Sequence, residues 1–102
     1  MITGHTDTKA TYSYTFKRHV PIDDVQDTLT LSILAAEHLH GRAKIRLDGW
    51  WRLDRQRRTC QIDASTRVGE VIAQLFTGYL SKEFGENSFT VRRATSANEA
   101  TT

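Results

Sequence analysis

The sequence predicts an α+β fold in which a four-stranded antiparallel sheet carries two helices on one face. Apolar and polar residues alternate in several short stretches, which is typical of strands with one buried face. In two longer segments the apolar residues recur at helical spacing. These segments follow one another as strand, helix, strand, strand, helix, strand, and 102 residues suit a single domain.

The first strand and the first helix occupy residues 10–41. Tyr12, Tyr14 and Phe16 alternate with polar residues over positions 10–18. A helix of about 17 residues is then expected. Pro21 suits its start, Asp23 with Gln26 fits a capping box, and Gly41 suits its end. Its apolar stripe contains Ile22, Val25, Leu29, Ile33 and Ala36, widened by Leu31, Leu34 and Ala35.

The next segment predicts a hairpin of two strands. Residues 42–53 alternate, and the apolar phase contains Ala43, Ile45, Leu47 and Trp51. A short polar stretch at 54–57 precedes a second alternating run through Cys60 and Ile62. The alternation over residues 42–53 predicts that Trp50 is exposed. A bulge near Gly49 would shift the alternation and expose Trp51 instead.

A second helix and a last strand complete the pattern. Ser65 or Thr66 is the expected N-cap, and Gly85 ends the helix. The apolar set is Val68, Val71, Ile72, Leu75, Phe76, Tyr79, Leu80 and Phe84. Gly78 lies inside this helix, where glycine is unfavourable, and we expect a close contact there. Residues 88–93 predict a strand with Phe89 and Val91 inward.

The order of elements resembles that of ferredoxin-like proteins, with βαββαβ topology. The resemblance covers element order only and implies a strand order of 4-1-3-2. The predicted domain spans residues 10–93, with flexible tails at 1–9 and 94–102. We expect threonine and basic side chains on the uncovered sheet face, including Lys44 and Arg46. The third strand, TCQID, lacks the aromatics with which RNA-recognition modules stack bases.

Composition excludes several classes of protein. One cysteine allows neither an internal disulfide nor a cysteine-based zinc site. The glycines form neither a dinucleotide-binding motif nor a phosphate-binding loop, so we expect no cofactor. No apolar run is long enough to cross a membrane and no signal peptide is evident, so a cytoplasmic protein without membrane contact is expected.

Basic residues concentrate in the predicted hairpin. Residues 42–58 hold seven Lys/Arg against two Asp, whereas the other 85 residues hold seven against ten Asp/Glu. The candidate partner-binding or nucleic-acid-binding residues are Arg42, Lys44, Arg46, Trp50, Arg52, Arg55, Arg57 and Arg58. Arginine binds phosphate and an exposed tryptophan stacks on bases. A second explanation is that charged side chains protect an edge strand from aggregating with other strands. A third is that Trp and Arg anchor a protein–protein interface.

Other candidate sites have simpler structural explanations. Glu37 and His40 have the spacing of a carboxylate metal site, but the second helix offers no histidine, so no metal is expected. The acidic residues in the first turn of the first helix interact favourably with the helix dipole. Alternatively, they pair with the basic hairpin of another copy. Cys60 falls in the buried phase and resembles a small core residue.

These features favour a small non-catalytic module that associates with itself or with a protein partner. The expected contact surface is the open sheet face or the Trp50/Trp51 hairpin, and a homo-oligomer such as a dimer is the expected state. The alternative is a weak, sequence-tolerant nucleic-acid binder using the 42–58 hairpin. A third hypothesis, an enzyme with His38 or His40 as acid/base between subunits, has no supporting motif.

Overall fold

The computed structural model describes residues 10–95. In chain order, this part of the protein contains β1 (Ala10–Phe16), α1 (Ile22–His40), α2 (Arg42–Asp48), β2 (Trp51–Asp54), β3 (Thr59–Asp63), α3 (Arg67–Phe84) and β4 (Phe89–Thr95). A single 3₁₀ turn, Glu86–Ser88, joins α3 to β4. The predicted tails lie outside the described residues, except for Ala94 and Thr95, which complete β4.

The four strands form one antiparallel sheet in the order β2-β3-β1-β4. Counted from the β4 edge, this is 4-1-3-2. The α+β class and the four-stranded antiparallel sheet are therefore confirmed. The predicted helix count is wrong, because residues 10–95 contain a third α-helix.

The additional helix, α2, replaces the first half of the predicted strand at 42–53. Its sequence, RAKIRLD, is rich in strong helix formers and contains only one β-branched residue, Ile45. Lys44 pairs with Asp48 one turn later, at 3.2 Å. Three alternating apolar residues are too few to distinguish a strand from two helical turns, and only Ile45 is buried.

Glycines end the two long helices, as predicted. Gly41 and Gly85 have φ of 88° and 91°, and their backbone N–H groups donate to Glu37 and Ser81. The Thr66 side chain accepts from the Gly69 N–H at 3.0 Å, which confirms the N-cap of α3. The predicted capping box of α1 is wrong, because Pro21 occupies the N-cap position of the helix and no side-chain hydrogen bond caps it.

One face of the sheet packs against α1 and α3 to form a single core. Tyr14, Phe16 and Ile62 from the sheet share this core with Val25 of α1 and Phe76 of α3. The Tyr14 and Phe76 rings meet edge to face, with centroids 4.9 Å apart. Within residues 10–95, no helix combines the length and apolar character needed to cross a membrane.

Candidate interaction surface

The structure divides the predicted basic hairpin into three separate places. Arg42, Lys44 and Arg46 lie on α2, so the expectation that Lys44 and Arg46 lie on the open sheet face is wrong. Arg52 lies on β2. The remaining three arginines lie in the turn between β2 and β3. The seven cations therefore do not follow one continuous β-ribbon.

Two of the turn arginines form ion pairs within the chain. The Arg55 guanidinium contacts the Asp23 carboxylate and the Gln26 amide oxygen, both on α1. The acidic first turn of α1 thus pairs with the turn arginine of its own chain. Arg57 lies 4.0 Å from the Asp54 carboxylate, and its backbone N–H donates to that group at 3.0 Å.

Arg58 has a structural role. It is the one non-glycine residue in the described part of the chain with a positive φ, 56°. Its guanidinium donates to the Lys17 carbonyl at 2.7 Å and also to the Val20 carbonyl. Both acceptors lie in the loop between β1 and α1, next to the buried Val20 side chain. Arg58 therefore holds this loop against the hairpin through Nη2, while its buried Nε has no hydrogen-bond partner among the described residues.

The two tryptophans differ in exposure. Trp50 is 47% exposed, and Trp51 is half-buried against the core. Trp51 lies opposite the buried Ile62, so it faces the helices. Gly49 permits this arrangement, because a Cβ atom there would lie 2.7 Å from the Ile45 carbonyl oxygen and 3.0 Å from the Trp51 ring.

The open face of the sheet is polar at every position except Ala94. Its side chains, assigned by alternation from the register, are Thr11, Ser13, Thr15, Arg52, Asp54, Thr59, Gln61, Asp63, Thr90, Arg92 and Ala94. Asp63 is buried and accepts hydrogen bonds from the Ser65 N–H at 2.8 Å and the Ser65 hydroxyl at 2.6 Å. A surface of this kind offers little apolar area for packing two sheets face to face.

The backbone groups of β2 that point away from the sheet can be identified from hydrogen bonds. Asp63 donates to the Trp50 carbonyl at 2.9 Å, so the residues of β2 that bond to β3 are Arg52 and Asp54. On the other side of β3, Phe16 donates to the Arg58 carbonyl at 3.0 Å, which agrees with this alternation. Leu53, between the two bonded positions, directs its N–H and C=O outward from the sheet edge.

A groove runs beside this edge, between β2 and α1. It encloses about 440 Å³. Its apolar lining comes from Leu29, Ile33, Trp51 and Leu53, and its polar lining from Gln26, Thr30, Arg52 and Arg55. Ile33, Trp51 and Leu53 are only partly buried. The β2 edge therefore combines outward backbone groups with an apolar groove, which is the combination that β-strand addition uses.

Four exposed leucines form a feature that sequence reasoning missed. Leu31, Leu34 and Leu39 of α1 and Leu47 of α2 range from 48% to 83% exposed. Leu31 and Leu34 belong to the apolar stripe predicted for the first helix, but both are exposed. The angular spread of the apolar residues could have shown otherwise, because at 100° per residue Leu34 lies about 180° around the helix from Val25.

The metal-ligating side chains of the described residues are dispersed. Within residues 10–95, no three His, Cys, Asp or Glu side chains lie close enough together to hold a metal ion, and this includes Glu37 and His40. Cys60 is completely buried, and burial raises the pKa of its thiol to about 12. The thiol therefore remains protonated and is not a nucleophile at neutral pH.

The comparisons with known proteins found no match, whether to a protein-family model, to a curated protein or to a solved structure.

Proposed function

We propose that the protein is a small non-catalytic interaction module that acts by self-association, with the β2 edge and its adjoining groove as the contact surface. The exposed Trp50 immediately precedes β2 in the chain. In this proposal the chain is a ferredoxin-like variant with one added helix, α2. It acts in the cytoplasm, where an unpaired cysteine stays reduced.

The observation that carries the proposal is the outward backbone of Leu53 beside a partly buried apolar groove. An unpaired edge strand is a template for another strand, and proteins usually protect such an edge. Here the partly buried Trp51 and Leu53 side chains lie beside that edge. A strand added to β2 would satisfy the backbone groups and cover the apolar lining.

Nucleic-acid binding is supported less well by the same residues. Arg55 and Arg58 already contact groups of the same chain. The previously expected cluster of turn arginines is therefore only partly available to phosphates. Arg42 and Arg46 are exposed on α2, whereas the exposed Arg52 lies on β2.

Sedimentation velocity over a wide concentration range tests the proposal. We expect a dimer that dissociates on dilution and that forms without nucleic acid at both low and moderate salt. A monomer of 11.6 kDa at every concentration would contradict it. Titration with a mixed-sequence single-stranded oligonucleotide is the comparison experiment. If the protein stays monomeric and the oligonucleotide quenches its tryptophan emission in a salt-sensitive way, nucleic-acid binding is established instead.

A further inference from the structure

We infer that the occupant of the β2 edge is β2 of a second copy, paired antiparallel with Leu53 at the two-fold axis. This inference rests on the proposed function and specifies its partner and its register. The two sheets would then form one continuous eight-stranded sheet, with the helices of both copies on the same side.

The residues of β2 select this register. A two-fold axis normal to the sheet pairs residues that point to the same face, so it passes through one residue of each strand. Two such registers align three residues of β2 with three of the second copy: one centred on Arg52 and one on Leu53. The first places Arg52 against Arg52 of the second copy. The second places Arg52 against Asp54 of the second copy, twice by symmetry.

Charge therefore favours the register centred on Leu53. Opposite charges directly across an antiparallel pair are stabilising, and like charges are destabilising. Arg52 forms no ion pair with any residue between 10 and 95. Asp54 already accepts a hydrogen bond from the Arg57 N–H through one carboxylate oxygen, Oδ1, and its Oδ2 lies 4.0 Å from the Arg57 Nε. The exposed Arg52 is thus free to pair across the axis.

The backbone geometry permits this register and equally permits the one centred on Arg52, in which Trp51 and Leu53 would exchange hydrogen bonds, so charge is what separates the two registers. Leu53 directs its N–H and C=O outward, so two Leu53 residues facing each other would exchange two hydrogen bonds. Their side chains would lie on the helix side of the sheet, next to the groove that Leu53 and Trp51 line. One register therefore satisfies the backbone, the charges and the apolar groove together.

The opposite edge of the sheet lacks this self-complementarity. Strand β4, FTVRRAT, contains Arg92 and Arg93 and no acidic residue. Any charge contact between two copies of β4 is therefore repulsive, whereas β2 carries one base and one acid on the same face. This difference points to β2, and not β4, as the edge that pairs.

Charge reversal tests the register directly. Arg52→Asp places two acids on the open face of β2, and Asp54→Arg places two bases there. Either variant alone should form a homodimer at least about tenfold weaker than the wild type, because two attractive pairs become repulsive. An equimolar mixture of the two variants should recover a heterodimer, since each acid then faces a base. The double variant Arg52→Asp/Asp54→Arg should recover the homodimer.

Two controls complete the experiment. Arg92→Asp makes the same charge change on the open face at the other edge and should leave the dimer unchanged. Circular dichroism verifies that each variant is folded, which matters for Asp54→Arg because Asp54 also accepts from the turn. Sedimentation velocity of the mixture and of the separate variants gives the readout.

The outcomes distinguish a failure of the proposed register from a failure of the proposed self-association. If Arg52→Asp weakens the dimer no more than Arg92→Asp does, or if the mixed variants fail to associate, the register is wrong while self-association stands. If the wild type is monomeric throughout, both are wrong. Recovery in the mixture, with the separate variants monomeric, supports both.

Discussion

Arg58 shows how a residue that resembles a ligand-binding cation can serve the fold instead. Its guanidinium donates to two carbonyls of the loop between β1 and α1. Arg58→Met would leave both acceptors without this donor and should lower the free energy of unfolding by about 1–3 kcal/mol. Arg57→Met is the matched control, because the Arg57 side chain is 84% exposed, and its effect should stay within about 0.5 kcal/mol. Denaturant unfolding measures both; equal effects would contradict the role of Arg58.

Cys60 makes stability depend on pH in the alkaline range. Burial raises the pKa of its thiol from 9.0 to about 12, so the folded state holds a proton that the unfolded state loses above pH 9. Stability is therefore complete below pH 9 and falls as the pH rises toward 12, by at most about 1.4 kcal/mol per pH unit for this group. The Cys60→Ala variant should show a shallower decline between pH 9 and 10 in urea unfolding curves. Parallel curves for the two proteins would contradict this.

Strand alternation predicted burial better on the central strands β1 and β3 than on the edge strand β4. Tyr14, Phe16 and Cys60 are buried as their phase predicts. Val91 shares the phase of Phe89 but remains 40% exposed, because it lies on the edge strand β4 beside an incompletely covered groove. The partners of the arginines were not predictable, since Arg58 contacts residues 38 and 41 positions earlier in the chain.

At the scale of elements, α2 marks the limit of pattern analysis. Both long helices were predicted because their apolar periodicity extends over several turns and a glycine ends each one. The segment 42–48 is too short for its period to be decided, and its strong helix formers prevail over the alternation. This error moved Arg42, Lys44 and Arg46 from a strand to a helix and dispersed the predicted basic site.

Gly78 tests how α3 is packed. The close contact expected there is absent, because a Cβ atom at Gly78 would meet nothing within 4 Å. Gly78→Ala should therefore raise the free energy of unfolding by about 1 kcal/mol, through helix propensity alone. Gly69→Ala is the contrasting variant, because its Cβ atom would lie 1.7 Å from the Asp63 carbonyl oxygen. Thermal unfolding should rank Gly78→Ala above the wild type and Gly69→Ala below it; a destabilised Gly78→Ala would contradict the open packing.

At the scale of the whole molecule, the sheet leaves its two edges unequal. Strand β4 is seven residues long and basic, whereas β2 has four residues with one base and one acid. A groove adjoins each edge, so the charge pattern is what distinguishes them. The sequence identified the hairpin as a candidate contact surface. It could not point to the edge of β2 as the proposed contact, because the outward direction of the Leu53 backbone depends on the register with β3.

Amide hydrogen exchange at Leu53 tests the central claim most directly. In the monomer this N–H points outward from β2, whereas the Arg52 N–H faces β3 and serves as the internal control. We predict that exchange at Leu53 slows as the protein concentration rises through the range of association, while exchange at Arg52 stays slow throughout. Exchange at Leu53 that remains fast in a fully associated sample would contradict pairing through the β2 edge.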